Sequence, residues 1–247
     1  ATGAPMAYHA PVPIPEERSM PTVGVVIPAL NAARFLGPLL DEIRALHPEL
    51  RLLVVDDGST DGTADTARAH GAETAVHPVN RGKGAALLTG YAWARTQGLD
   101  WVISMDADGQ HLPSDLAGFL AVARRGKADV AVGDRMADTT GMPWLRLATN
   151  RFTSTVVSNL AGTRIPDSQN GYRMLRTRLL QDLRLTTTNY DMESEILVRL
   201  ARRGARVTAV PTATVYGDET SSIHPLRDTV RFFRLAARLL NEKGTDG

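Results

Sequence analysis

From residue 23 onward the chain alternates short apolar runs with longer stretches whose apolar residues recur at helical spacing. Residues 23–27, 51–55, 74–77, 101–105 and 130–132 are short, apolar and mostly rich in β-branched side chains, which predicts strands. Between them, residues 35–46, 63–70, 85–97 and 116–125 predict amphipathic helices. Strands separated by helices of this length imply a mostly parallel sheet covered on both faces, an α/β fold of Rossmann-like construction. After Gly133 the alternation loosens. A helix over 144–160 is followed by a polar turn at 167–172, a helix over 193–203, a strand over 206–210 and a closing helix from Pro225 to Glu242.

At 247 residues this pattern is best divided into an irregular, proline-rich arm (1–20), one domain (21–224) and a C-terminal segment (225–247). The domain itself falls into halves, 21–135 and 136–224. A formal net charge of +1 argues against a nucleic-acid binder. The lack of cysteine excludes disulfides, thiolate metal sites and cysteine nucleophiles. No apolar run reaches membrane-spanning length, and the first twenty residues lack the apolar centre of a signal peptide. The expectation is a cytoplasmic protein, or one peripheral at the cytoplasmic face of a membrane; oligomeric state is not legible.

The densest chemistry lies at Asp106-Ala107-Asp108-Gly109-Gln110, directly after an apolar run. In open α/β sheets the carboxyl ends of strands are where ligands bind. Two carboxylates and an amide oxygen there suit a hard divalent cation, Mg2+ or Mn2+, completed by substrate phosphates. The alternative is an Asp-rich turn capping the next helix. Other strand ends add related groups. Pro28-Ala-Leu30-Asn31 follows the first, and Asp56-Asp57-Gly58-Ser59-Thr60-Asp61-Gly62-Thr63 follows the second. Asp57 suits a base N–H or ribose hydroxyl, whereas Asp61 and Thr63 suit a helix start. Asn80-Arg81-Gly82-Lys83-Gly84 brings backbone amides and positive charge to another helix start, which attracts anions. It is not a P-loop, since the P-loop spacing is absent.

Taken in order, Val25-Val-Ile-Pro28, the 54–63 segment, Asn80-Arg-Gly-Lys-Gly84 and Asp106-Ala-Asp108-Gly-Gln110 resemble the family 2 inverting glycosyltransferases of the GT-A fold. The resemblance is nearest to the polyprenol-phosphate mannose and glucose synthases. It implies transfer of a hexose from a nucleotide sugar, of the UDP-glucose or GDP-mannose kind, to a polyprenyl phosphate, with Mg2+ or Mn2+ as cofactor. By the same resemblance Pro28, Leu30, Asn31, Val55, Asp57, Gly82, Lys83, Asp106, Ala107 and Asp108 bind the nucleotide sugar. Asp106, Asp108 and Gln110 hold the metal. Val132-Gly133-Asp134-Arg135 resembles the segment whose arginine faces the acceptor phosphate, and Arg151 and Thr155 match further phosphate ligands. Asp167-Ser168-Gln169-Asn170-Gly171 resembles the glucose-type motif, which adds Gln169 to the acceptor side. Ser222 and His224 fall in a segment that resembles the family's closing loop.

The reaction so implied puts developing charge on a leaving diphosphate, which the cation stabilises. A phosphate acceptor is already ionised, so it needs cations, Arg135 first, more than a base. Asp191, Glu193 and Glu195 are the base candidates should the acceptor instead be a soluble hydroxyl; two residues apart on a helix, Glu193 and Glu195 cannot both face the site, and Asp191 equally suits a charge at a helix start. A sugar nucleotidyltransferase would require a glycine-rich loop after the first strand, which is absent. In the closing helix Arg227, Arg231, Arg234 and Arg238 form one stripe, and Leu226, Val230, Phe233, Ala237 and Leu240 another. This is the layout of a helix bound to an anionic membrane surface, or of an ordinary surface helix with solvated arginines.

Overall fold

The computed structural model describes residues 20–181, 183, 185–187, 191–213 and 225–243. Seven strands, β1 (Val23–Ala29), β2 (Arg51–Asp56), β3 (Glu73–Val76), β4 (Trp101–Ser104), β5 (Val130–Asp134), β6 (Arg173–Arg176) and β7 (Val207–Pro211), form one sheet in the order β3-β2-β1-β4-β6-β5-β7. The helices are α1 (Ala33–Leu46), α2 (Thr63–Ala69), α3 (Lys83–Thr96), α4 (Leu116–Arg125), α5 (Trp144–Ala161), α6 (Asp191–Arg202) and α7 (Pro225–Lys243). No helix among the described residues is long and apolar enough to cross a membrane.

Successive side chains of a strand face opposite ways, and β1 shows the consequence. Val25 and Ile27 pack under α1 and α4 with Leu36, Leu40 and Phe119, while Val26 packs with Leu53, Leu87 and Leu197 on the other side. Gly90 lets α3 lie directly on β1, because a Cβ there would collide with the Val26 side chain.

β1, β2, β3 and β4 pair in parallel, and β5 pairs in parallel with β7. Between these two parallel groups lies β6, antiparallel to both β4 and β5. The sequence pattern predicts no strand there, because Arg173-Met-Leu-Arg176 carries arginines at both ends. Both guanidiniums are accommodated. Arg173 is buried and donates to the carbonyls of Ser168, Asn170 and Glu193 at 2.6–2.7 Å. Arg176 lies over the Trp101 ring, 4.4 Å from its centroid.

Buried Asp129, just ahead of β5, gathers Arg176, Arg178 and Arg206 within 3.4 Å. Hydrogen bonds from the Arg206 side chain outweigh the burial that opposes them and, with its amide and charge, bring the Asp129 carboxyl to about 2. Its folded value thus lies below the unfolded 3.8, so its contribution is complete above the unfolded value and disappears as pH falls toward 2. Asp129→Asn is expected to flatten the loss of stability between about pH 5 and 2 in urea unfolding. An unchanged acid limb would contradict this assignment.

Candidate active site

The carboxyl ends of β1, β2, β4 and β5 form one edge, and the loops leaving them are tied together by their own polar side chains. Asn31, in the left-handed region at φ 51°, accepts a hydrogen bond from the Thr60 amide at 2.9 Å, and its amide donates to Ser59 Oγ. Asp61 accepts from the Ala33 and Thr63 amides and so begins both α1 and α2, the structural part its position suggested. Pro28 lies beside Val55 in register, and Leu30 is exposed. The Val55 side chain is wholly buried among core residues, and Ala107 is buried on the opposite face. Of these two only the backbone is offered at the edge.

Asp57 is buried, and its carboxylate already serves the loop of Arg81 and Gly82. It accepts from the Arg81 amide at 3.0 Å, the Gly82 amide at 2.7 Å and His77 Nδ1 at 2.6 Å. The structure therefore gives Asp57 a shaping role: it fixes the start of α3. That helix begins at Lys83, two residues earlier than periodicity indicates, with Gly82 as its cap at φ 93°. Lys83 consequently sits in the first turn.

Its ammonium, Nζ, lies 2.7 Å from Asp106 Oδ1 and 3.3 Å from Glu193 Oε2. Burial works against the charged ammonium, but the two carboxylates prevail and raise its pKa above the ordinary lysine range. Burial likewise opposes the Asp106 carboxylate, yet Lys83, with His111 and Arg173, holds it down to about 2. Burial and the charge of Glu193 push the nearby Tyr91 phenol up to about 12. The chain passes close by at Gly171, where a Cβ would stand 2.6 Å from Asp106 Oδ2 and 3.0 Å from Lys83 Nζ. A Lys–Asp–Glu cluster, half-buried at Lys83 and Asp106 and buried at Glu193, thus occupies the middle of the edge.

Asp108 and Gln110 lie beyond it, both partly exposed, with the Gln110 amide donating to Asp108 Oδ1 at 3.0 Å. Among the described residues no group of three His, Asp or Glu side chains encloses a metal. Hard oxygen donors that leave the remaining positions to substrate suit Mg2+ or Mn2+, which retain non-protein ligands. His111 carries no signal of a role in the sequence. It is buried, stacks on Tyr172 with centroids 4.8 Å apart, and its Nδ1 accepts from the Asp106 amide at 3.1 Å. Burial lowers its pKa despite the carboxylates of Asp106 and Asp108, and an accepting Nδ1 requires the neutral ring protonated at Nε2. The ring braces the backbone from which Asp106 projects.

The two glutamates of α6 separate, as the helix period requires. Glu193 faces Lys83, and its buried Oε1 has no hydrogen-bond partner among the described residues. Glu195 points elsewhere. It accepts from the amides and hydroxyls of Thr186 and Thr187 and from Arg199 Nε, so it fastens a loop and is removed from the base candidates. Arg135 is buried, with Nε and Nη2 donating to the fully buried Asp167 at 2.7 and 3.0 Å. It directly follows β5 and so stands at the same edge of the sheet. Arg151 and Thr155 are exposed, and Thr155 Oγ1 donates to the Arg151 carbonyl. The buried polar row of α5 is instead Asn150 and Ser154, the latter accepting from the Ser168 amide. Asn150 Nδ2 is buried with no hydrogen-bond partner among the described residues, a donor that sequence reading passed over. Gln169 is exposed beside the Asp167 turn. Ser222 and His224 lie outside the described residues.

The family described as Glycosyl transferase family 2 matches residues 24–184. A polyprenol monophosphomannose synthase of Mycolicibacterium smegmatis is 32% identical over 203 residues, covering 76% of this chain and 75% of that protein. An undecaprenyl-phosphate mannosyltransferase of Micrococcus luteus is 33% identical over 201 residues, covering 77% and 82%. Among solved structures, mannosyl-3-phosphoglycerate synthase from Rubrobacter xylanophilus superposes with a TM-score of 0.68 at 25% identity, covering 90% of this chain and 75% of that one. Glucosyl-3-phosphoglycerate synthase from Mycobacterium tuberculosis, solved with Mn2+, uridine diphosphate and glucosyl-3-phosphoglycerate, gives a TM-score of 0.61 at 22% identity, covering 89% and 78%.

Proposed function

Since the chain belongs to glycosyl transferase family 2 and has the GT-A fold, we propose that it transfers a hexose from a nucleotide sugar to a polyprenyl phosphate, with inversion and with Mg2+ or Mn2+. The observation that carries this reading is the Lys83–Asp106–Glu193 cluster at the sheet edge, with Asp108 and Gln110 following Asp106 in the same loop and Arg135 directly after β5. The names of the two mannosyl relatives support a lipid phosphate acceptor.

In this reading the acceptor phosphate oxygen bonds to the anomeric carbon as the bond from that carbon to the diphosphate breaks, and the electron pair leaves with the nucleotide. Asp106, neutralised by Lys83, orients the sugar and ribose. Asp108 and Gln110, with Asp106, would hold the cation, which when bound supplies Lewis-acid stabilisation of the leaving diphosphate. Lys83 adds fixed positive charge beside the same phosphates and, being preorganised by two carboxylates, does not reorganise during transfer. Arg135, clamped by Asp167, offsets acceptor charge in a water-poor setting. Glu193 keeps Lys83 in place.

Short motifs favour a glucose donor, whereas the relatives' names point to mannose. A panel of labelled UDP- and GDP-hexoses, incubated with Mn2+ and short-chain polyprenyl phosphate and then extracted into organic solvent, is expected to give lipid-soluble label from one donor. A second reading, a soluble hydroxyl acceptor, is favoured by the likeness to a protein named for 3-phosphoglycerate. Label transferred only to 3-phosphoglycerate or another water-soluble acceptor would replace the first reading with the second.

A further inference from the structure

Five large apolar side chains that stand exposed fall on two neighbouring helices, Trp144, Leu145 and Phe152 on α5 and Phe233 and Leu240 on α7. Phe152 and Phe233 meet across the helix pair with centroids 6.3 Å apart, which joins the exposed apolar faces of the two helices at that point. The α7 sequence leaves open whether its Phe233–Leu240 stripe faces the protein or a membrane. The helix buries Leu235, Ala236 and Leu239 against the protein, and its other apolar stripe, through Phe233 and Leu240, is left outward beside exposed Arg234 and Arg238.

We infer that the outer face of α5 and α7 is a docking surface for an anionic lipid bilayer. Charge identifies the occupant. Helix α5 carries Arg146 and Arg151 and no acid; over residues 231–242 α7 carries Arg231, Arg234 and Arg238 against Glu242, and Glu242 pairs with Arg199. Positive charge is thus concentrated here in a chain whose net charge is only +1. A cleft lined by Thr186, Thr187, Asp191, Leu235 and three arginines, Arg231, Arg234 and Arg238, opens on the basic side of α7, and with three guanidiniums to one carboxylate it suits a lipid phosphate. Aromatic and aliphatic side chains bordered by arginine partition into the headgroup layer, whereas a protein–protein contact of this kind would place acids opposite the arginines.

The position also makes chemical sense, and in this respect the inference rests on the lipid-acceptor reading. On α5, Asn150 and Ser154 face inward to the turn holding Asp167 and Arg135, while Phe152 lies on the reverse side of the same helix. A phosphate engaged inside and an acyl chain left in the bilayer need be separated by little more than one helix diameter, about 10 Å.

The test is co-sedimentation of the full chain with phosphatidylcholine vesicles, with and without phosphatidylglycerol. Binding is expected to the anionic vesicles and to weaken with salt. The double variant Phe152→Ser/Phe233→Ser, altering exposed positions only, is expected to lose at least about tenfold in partition at unchanged Tm. Arg234→Gln/Arg238→Gln is expected to remove the preference for anionic lipid. Transfer to a detergent-solubilised short acceptor is expected to persist in both variants. No vesicle binding by the parent chain, or binding unaffected by the serine pair, overturns the inference. So does light scattering that shows a dimer which the serine pair dissolves, with no vesicle binding. Vesicle binding without any transfer to polyprenyl phosphate would leave this surface standing and defeat the lipid-acceptor reading; transfer without vesicle binding would do the reverse.

Discussion

Asp108→Ala is expected to lower hexosyl transfer by a factor of about a hundred or more, with the fold in place. The side chain is partly exposed, and its one hydrogen bond among the described residues is from the Gln110 amide, so the change costs about 1 kcal/mol of stability at most. Its contribution to transfer is larger because it is directed at a charge that develops only as the diphosphate leaves. Donor binding measured by calorimetry with and without Mn2+ separates the causes. The parent chain should bind nucleoside diphosphate more tightly with the metal, and Asp108→Ala should not. Full activity in the variant would remove Asp108 from the metal site.

The second large effect is on stability. Asp167→Ala takes the carboxylate from a guanidinium that is itself buried, a change that costs about 3–5 kcal/mol. Exchanging both partners, Arg135→Met with Asp167→Leu, is expected to restore most of this, because no buried charge then lacks its counterion. The double variant distinguishes scaffold from function. It should unfold near the parent's urea midpoint while its KM for the phosphate acceptor rises and its KM for the donor stays unchanged. Equal changes in both KM values would make the Arg135–Asp167 pair purely structural.

Much of the donor side was legible in sequence. The strands of the first half are continuous apolar runs, and the polar groups that leave them are local, so Asp106 and Asp108 could be placed at a sheet edge without any tertiary information. Lys83 was found as a charge at a helix start, but its partner Glu193 comes from another helix entirely. Periodicity alone separates Glu193 from Glu195 without saying which faces inward; the Thr186–Thr187 loop decides that. The acceptor side was harder for the same reason. Adjacent helix positions differ by about 100°, so a one-residue difference exchanges exposed Arg151 and Thr155 for buried Asn150 and Ser154. Strand β6 was hidden because its arginines find their partners only in the folded chain, carbonyls for Arg173 and Asp129 with the Trp101 ring for Arg176. His111 was hidden because one histidine beside an acidic motif has no periodicity to reveal its stacking on Tyr172. In α7 both apolar stripes are present in the sequence, and only packing shows which one the protein buries.

The central claim is inverting transfer to a phosphate oxygen, and the product itself tests it most directly. The chain would be incubated with Mn2+, an α-linked nucleotide hexose and short-chain polyprenyl phosphate, and the lipid product examined by mass spectrometry and by NMR at the anomeric proton. The expected product is a hexose joined through its anomeric carbon to the lipid phosphate in the β configuration. An α-linked product would contradict inversion, and hexose found only on a hydroxyl of a water-soluble compound would contradict the phosphate acceptor.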